Sequence, residues 1–111
     1  MGDRHELWLD GVKYLFVTAI EGCIDVAQHI TSSERHPAPD TNAAAIRSLG
    51  AHGVIDEDLA ASLARGVGFR NVLVHQYVEV DDQVVLDSLN DVVQLHAFVQ
   101  QISDWLLDQR G

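Results

Sequence analysis

Apolar residues recur at helical spacing along most of the chain. The clearest case lies near the C-terminus, where intervals of three, four, three and four residues separate Val92, Leu95, Val99, Ile102 and Leu106. This spacing keeps all five side chains on one face of an α-helix. Residues 3 to about 30 show the same period, and a capping pair, Asp3 and Glu6, opens them. The pattern therefore predicts a long helix at each end of the chain.

The N-terminal helix carries two apolar stripes. At about 100° per residue, one stripe contains Trp8, Val12, Leu15, Ala19, Val26 and Ile30, and the other contains Phe16, Ile20 and Ile24. Polar residues, namely Thr18, Glu21 and Asp25, occupy the remaining arc. A helix that is apolar on two sides needs a packing partner on each of them. It is therefore either the central helix of a bundle or a helix whose second side contacts another subunit.

Loop and cap signals divide the middle of the chain. Pro37 and Pro39 mark a loop. The stretch Asp40-Thr41-Asn42 then caps a short helix that extends to Leu49. Gly50 and Gly53 are expected to end this helix. Asp56 is the cap of a third helix that runs to about Tyr77, and residues 78–82 are interpreted as a linker. These signals predict an all-α fold, a four- to five-helix bundle, in a single domain of residues 1–111.

Composition narrows the class of protein. The chain has 111 residues, 47% of them hydrophobic, and its 17 acidic and 7 basic residues give a net charge of −10. This charge disfavours indiscriminate binding to nucleic acid or to anionic membranes. No apolar run approaches the roughly 20 residues that span a bilayer, and the first residues lack the layout of a signal peptide. We therefore expect a cytoplasmic protein.

Metal and cofactor chemistry find little support in the sequence. The six histidines form no His-x-x-x-His pair, and no glycine-rich phosphate loop is present. We expect neither a metal nor a cofactor. Cys23 is the only cysteine, which excludes an intrachain disulfide, and its apolar surroundings favour an inert core thiol.

One cluster combines several reactive side chains on an otherwise apolar helix. Arg70 and Tyr77 share a face because they are seven residues apart, and Asn71 and His75 share another. Arg70 and His75 lie about 140° apart around an ideal helix and about 7.5 Å apart along it. The arginine side chain covers part of that gap, or a two-fold dimer brings the pair together from both subunits. The residues alone also allow a purely structural role, with a salt-bridged arginine, a hydrogen-bonded histidine and an interfacial tyrosine.

The cluster resembles a known signature. Arg70-x4-His75-x-Tyr77, with Asn71 directly after the arginine, is similar to the R-x4-H-x-Y motif of the HepT toxins, the DUF86 branch of the HEPN superfamily. The flanks resemble the same family at residues 19–27, at Pro37-Ala38-Pro39 and at Gly68-Phe69, so the resemblance covers about residues 10–108. Many members carry an extra N-terminal helical stretch, and this chain is expected to begin after it.

This resemblance implies a homodimer of all-α bundles with two motifs along a shared cleft, acting as a metal-independent endoribonuclease. His75 would transfer protons because imidazole titrates near neutrality. Arg70 would stabilise charge on the phosphoryl oxygens, and Asn71 would orient either group. In similar systems a minimal nucleotidyltransferase antitoxin (MntA-like) transfers AMP to the motif tyrosine, here Tyr77. Negative charge beside Arg70 would then occupy the place of an RNA phosphate.

Two carboxylates and two tryptophans leave alternatives open. Glu21 and Asp25 are one helical turn apart, and they either line the cleft as partners of Arg70 or lie on a solvated arc. Trp8 and Trp105 are more typical of core or interface anchors than of platforms for base stacking in so acidic a protein.

The acidic charge also bears on function. With seven basic residues per chain, broad affinity for RNA is not expected, which favours a narrow substrate such as a tRNA end or loop. A basic antitoxin would complement the acidic surface. The alternatives to a nuclease toxin are a non-catalytic helical partner or substrate of a nucleotidyltransferase, and a degenerate family member kept as a binding module.

Overall fold

All the regular secondary structure in the described residues is α-helical. A computed structural model describes residues 3–75 and 82–110, with side chains described for residues 10–72 and 94–109. Over these ranges four helices follow one another, namely α1 (Asp3–Ser33), α2 (Asn42–Ala51), α3 (Glu57–His75) and α4 (Asp82–Arg110). The predicted all-α fold is confirmed, with four helices in the described ranges. The molecule measures 56 × 26 × 19 Å.

Helices α1 and α3 each pack against the other three helices. The stripe of Phe16, Ile20 and Ile24 is buried in the core. Residues from every helix and from the turn before α3 complete that core, among them Ile46, Leu49, Ile55, Leu63, Val67, Phe98 and Ile102. The second predicted stripe is covered only in part, since Leu15 remains 65% exposed.

One predicted helix end shifts by a few residues, and one predicted cap is confirmed. Helix α1 continues to Ser33 rather than ending near Ile30, and the Ser33 hydroxyl donates to the Ile30 carbonyl at 3.2 Å. Helix α2 begins as predicted, because Thr41 Oγ1 accepts a hydrogen bond from the Ala44 amide at 3.0 Å. This bond satisfies one of the otherwise unpaired N–H groups of the first turn.

The prediction that Gly50 ends α2 is wrong. Gly50 lies inside the helix and is buried. A Cβ at this position would lie 2.7 Å from the Cβ of Ala60, so the glycine allows α3 to approach α2 closely. Gly53 does mark the turn that follows, with a φ of +73° that glycine adopts without strain.

The start of α3 is also tied to α4. The backbone amide of Asp56 donates to Gln101 Oε1 at 2.7 Å, and Gln101 Nε2 donates to Asp56 Oδ2 at 3.1 Å. Asp56 directly precedes α3, as predicted, but its carboxylate accepts from α4. These two bonds are called the Asp56–Gln101 bridge below.

Two predictions fall partly on residues that the structure does not describe. Helix α3 is described to His75 and α4 begins at Asp82. The predicted end of the third helix at Tyr77 and residues 78–81 of the predicted linker lie outside the described residues. Asp82, the last residue of that predicted linker, belongs to α4. No helix in the described ranges is both long and apolar enough to cross a membrane.

Candidate functional site

Close packing between α3 and α1 sets the position of the predicted arginine. A Cβ at Gly66 would lie 3.0 Å from Ile20 Cδ1, so α3 lies tight against α1 at this point. The rings of Phe69 and Phe16 meet edge to face, with centroids 5.4 Å apart and planes at 75°. Arg70 follows Gly66 by four residues and so lies on the same side of α3. It therefore projects beside Glu21, the residue that follows Ile20.

Two acceptors hold the Arg70 guanidinium group. Nη2 donates to Glu21 Oε1 at 3.1 Å, and Nη1 donates to Asn71 Oδ1 at 2.7 Å. The Arg70 side chain is 17% exposed, whereas that of Glu21 is 49% exposed. Arg70 Nε is buried and has no hydrogen-bond partner among the described side chains. The guanidinium group thus keeps donor capacity, and its carboxylate partner is in contact with water.

An open hollow of about 320 Å³ lies in front of this pair. Its walls come from α1, from the first residue of α2 and from α3, and the lining residues are Glu21, Ile24, Asp25, Gln28, Asn42 and Arg70. We call it the Arg70 hollow. Sequence reasoning singled out three of these residues, and the structure brings all three together.

Sequence reasoning missed a pair of amides in the same hollow. Gln28 Nε2 donates to Asn42 Oδ1 at 3.0 Å and joins α1 to α2. Gln28 follows Glu21 and Asp25 at helical spacing, which is a signal that would have placed it on their face. Asn42 is fourteen residues away, and nothing in the local sequence indicates that it faces Gln28.

The two remaining motif residues cannot be placed as side chains. His75 is the last residue of α3, but its side chain lies outside the described part, and Tyr77 lies wholly outside the described residues. Their placement relative to Arg70 stays a prediction from helical geometry. The indole of Trp8 is likewise outside, whereas Trp105 is half-buried against the core, in the manner of an anchor.

Cysteine and metal chemistry have little basis in the described part of the chain. Cys23 is 2% exposed, and burial raises the pKa of its thiol to about 11. The group therefore stays protonated at neutral pH, as an inert core thiol does. Among the described residues, no group of three or more His, Cys, Asp or Glu side chains is arranged to hold a metal ion.

Comparison with known sequences points to one family of nucleases. A family model for HepT-like ribonucleases matches residues 3–102. A putative RNase of Archaeoglobus fulgidus is 35% identical over 101 residues, which cover 88% of this chain and 74% of the relative. A tRNA nuclease HepT of Aphanizomenon flos-aquae is 31% identical over 88 residues, covering 78% of this chain and 60% of the relative. An mRNA nuclease HepT of Shewanella oneidensis is 34% identical over 76 residues, which cover 68% of this chain and 54% of the relative.

Comparison with solved structures gives a consistent result. The fold is similar to that of a tri-AMPylated HEPN toxin of Shewanella oneidensis in complex with an MNT antitoxin, with a TM-score of 0.80 and 26% identity. That match covers 86% of this chain and 72% of the toxin. A toxin–antitoxin crystal structure with AMP-PNP also has a TM-score of 0.80, with 25% identity over 86% of this chain and 73% of the other.

Proposed function

The chain belongs to the HepT-like ribonuclease family, and we propose that it is the toxin of a HepT/MntA-type toxin–antitoxin pair and acts as a metal-independent endoribonuclease. The observation that carries the proposal is the Arg70 guanidinium group, which lies between Asn71 and a half-exposed Glu21 at the edge of an open hollow. An RNA phosphate would replace Glu21 as its partner, since guanidinium binds phosphate as it binds carboxylate. One relative is named a tRNA nuclease, so tRNA is the substrate to test first.

In the proposed reaction the 2′-hydroxyl of the RNA attacks the adjacent phosphorus and the bond to the 5′-oxygen breaks. His75 removes the proton of the 2′-hydroxyl and delivers a proton to the leaving 5′-oxygen, Arg70 stabilises negative charge on the phosphoryl oxygens, and Asn71 holds the guanidinium group in place. The products are a 2′,3′-cyclic phosphate and a free 5′-hydroxyl. Every group required is a side chain of the motif Arg70-x4-His75-x-Tyr77, so the reaction needs neither metal nor cofactor.

We propose that two copies of the chain form the active unit. Tyr14 and Leu15 on α1 are 71% and 65% exposed, and Leu106 and Leu107 on α4 are also exposed. These exposed apolar side chains support an interface on this side of α1 and α4 if they form one contiguous patch in the dimer. The partly uncovered stripe of α1 would be covered by a second subunit, and each homodimer would contain two copies of the arginine and histidine pair.

Regulation would act on the same site. The similar HEPN toxin is AMPylated and bound to an MNT antitoxin, and we propose that a minimal nucleotidyltransferase (MntA-like) partner adds AMP to Tyr77 of this chain. The added phosphate would compete with RNA for Arg70. The net charge of −10 fits a basic partner. The domain, residues 1–111, would work in the cytoplasm, where its RNA substrate lies.

One observation favours a second candidate function. The same acidic charge disfavours RNA binding, which suits a non-catalytic helical partner or substrate of the nucleotidyltransferase. The two candidates differ in a single respect, namely whether the isolated chain cuts RNA.

The deciding experiment is cleavage of total tRNA by the purified protein in excess EDTA, with His75→Ala as the variant. We expect the wild type to cut and to leave 2′,3′-cyclic phosphate ends, and we expect the variant to lose at least about 100-fold in rate because general acid–base catalysis contributes that much. His96→Ala, a change at an exposed histidine of α4, is the matched control and should retain activity. Equal cleavage by His75→Ala would refute the role of His75, and a dimer that cuts neither tRNA nor mRNA would favour the non-catalytic partner.

A further inference from the structure

We propose that the Arg70 hollow binds one unpaired nucleobase next to the cleaved phosphate and prefers bases with an exocyclic amino group, such as cytosine, over uracil. The inference rests on the proposed ribonuclease function and adds a specificity to it. It depends on three features of the hollow, namely its amide pair, its carboxylates and its size.

The amide pair presents a donor and an acceptor side by side. Among the described side chains, the bond from Gln28 Nε2 to Asn42 Oδ1 leaves the Asn42 amino group available to donate and Gln28 Oε1 available to accept. Base edges carry the complementary pattern, and glutamine and asparagine are the side chains that read adenine in this way. The mutual bond also fixes both amides before a base arrives, which lowers the cost of ordering them.

The carboxylates decide which bases fit. Glu21 is held by Arg70 until a phosphate replaces it, and Asp25 also lies on the wall of the hollow. An ionised carboxylate only accepts hydrogen bonds. It can accept from the amino group of cytosine, and the same amino group occurs on adenine and guanine, but uracil presents a carbonyl oxygen at that position. Asp25 therefore favours an amino-bearing base and repels uracil O4.

The hollow has room for a single base. Its volume is about 320 Å³, and Ile24 contributes little apolar surface because it is 5% exposed. Proteins read single-stranded RNA by stacking splayed bases on aromatic side chains or on arginine planes, and Arg70 is the side chain of this kind in the lining. Because Arg70 both lines the hollow and is the proposed phosphate ligand, the base read here belongs to a nucleotide that flanks that phosphate.

The test compares cleavage of short single-stranded oligoribonucleotides that differ only by cytosine or uracil beside the cut. We expect the wild type to cut the cytosine substrate about tenfold faster, the discrimination typical of one well-placed base contact. Gln28→Leu removes the acceptor and the bond that holds Asn42, so the base is no longer oriented with its amino group toward Asp25. Asp25→Asn introduces an amide that serves uracil O4 as well as the cytosine amine. Both variants should bring the ratio close to one. Gln100→Leu, which removes an exposed amide from α4, should keep the wild-type ratio.

The outcomes separate this inference from the proposed function. If Gln28→Leu and Asp25→Asn cut RNA with the wild-type ratio of cytosine to uracil, the base site is wrong while the ribonuclease stands. If the wild type cuts no RNA, the proposed function fails, and binding of CMP and UMP, followed by NMR at the Gln28 side-chain amide, decides the base site. Tighter binding of CMP that Gln28→Leu abolishes would uphold it, and equal or absent binding of the two nucleotides would overturn it.

Discussion

The two ends of α3 use side-chain hydrogen bonds in different ways. At its start the Asp56–Gln101 bridge closes on itself, because each residue both donates to and accepts from the other. At its other end Arg70 donates to Glu21 and Asn71, and its buried Nε has no partner among the described side chains. Both arrangements join residues that are more than forty positions apart in sequence.

The difference separates a stabilising contact from a binding contact. In the Asp56–Gln101 bridge the donors and acceptors are paired with each other. The bridge can therefore fix the position of α3 against α4, but it offers a ligand few unpaired donors or acceptors. An arginine held by one half-exposed carboxylate retains a positive charge and a replaceable partner. We therefore expect substitutions at the start of α3 to lower the free energy of unfolding, and substitutions at its end to lower the rate of RNA cleavage.

The largest expected effect comes from Arg70→Lys. Lysine keeps the charge but lacks the planar fork that binds two oxygens at once, so we expect the rate of RNA cleavage to fall at least about 100-fold. The free energy of unfolding should change by no more than about 1 kcal/mol, because a pair with a half-exposed partner contributes little. Cleavage assays and urea unfolding measure the two quantities.

Arg65→Lys provides the matched control for this prediction. Arg65 lies on the same helix and is exposed, so its replacement by lysine should leave both activity and stability near the wild-type values. If Arg70→Lys retained more than a tenth of the activity, the two-oxygen role of the guanidinium group would be refuted.

Local sequence signals predicted the helices better than the contacts between them. Thr41 caps α2 as expected because a cap depends on residues three positions apart. The buried position of Gly50 inside α2 was not predictable, since its cause is Ala60 on another helix. Two glycines close together, such as Gly50 and Gly53, are typical of a helix end. Only the packing of α3 against α2 shows that the first of them lies inside the helix.

For the candidate site too, local sequence signals indicated which residues share a helix face but not which residues of other helices they contact. Glu21 and Asp25 were expected to be either partners of Arg70 or solvated, and helical spacing could not choose between these alternatives. The choice depends on how α3 packs on α1 at Gly66, which is a tertiary contact. The Gln28–Asn42 pair shows the same limit, because it joins two helices whose relative position the sequence pattern does not encode.

The second prediction tests the close packing at the start of α3. In Gly50→Ala the new Cβ would lie 2.7 Å from Ala60 Cβ and 3.3 Å from the Glu57 Cα atom, so the helices would have to separate. We expect the free energy of unfolding to fall by about 1–3 kcal/mol, as overpacking does in cores, while the cleavage rate of the folded protein stays unchanged. Urea unfolding and cleavage assays provide the measurements.

Gly68→Ala is the control at the other end of α3. A Cβ there would contact nothing within 4 Å, so the variant should gain about 0.5–1 kcal/mol from the higher helix propensity of alanine. Equal stability of the two variants would contradict the packing explanation for Gly50.

The smallest expected effect comes from opening the Asp56–Gln101 bridge itself. Gln101→Leu removes both bonds, but water can reach the groups left behind because Asp56 is exposed, so we expect a loss of about 1 kcal/mol in the free energy of unfolding. Gln100→Leu is the matched control, since Gln100 bonds only to Asp104 on its own helix among the described side chains. If the two variants had equal stability in urea unfolding, the bridge would contribute nothing. If Gln101→Leu lowered RNA cleavage by the folded protein, the two ends of α3 would not be separable into a stabilising end and a binding end.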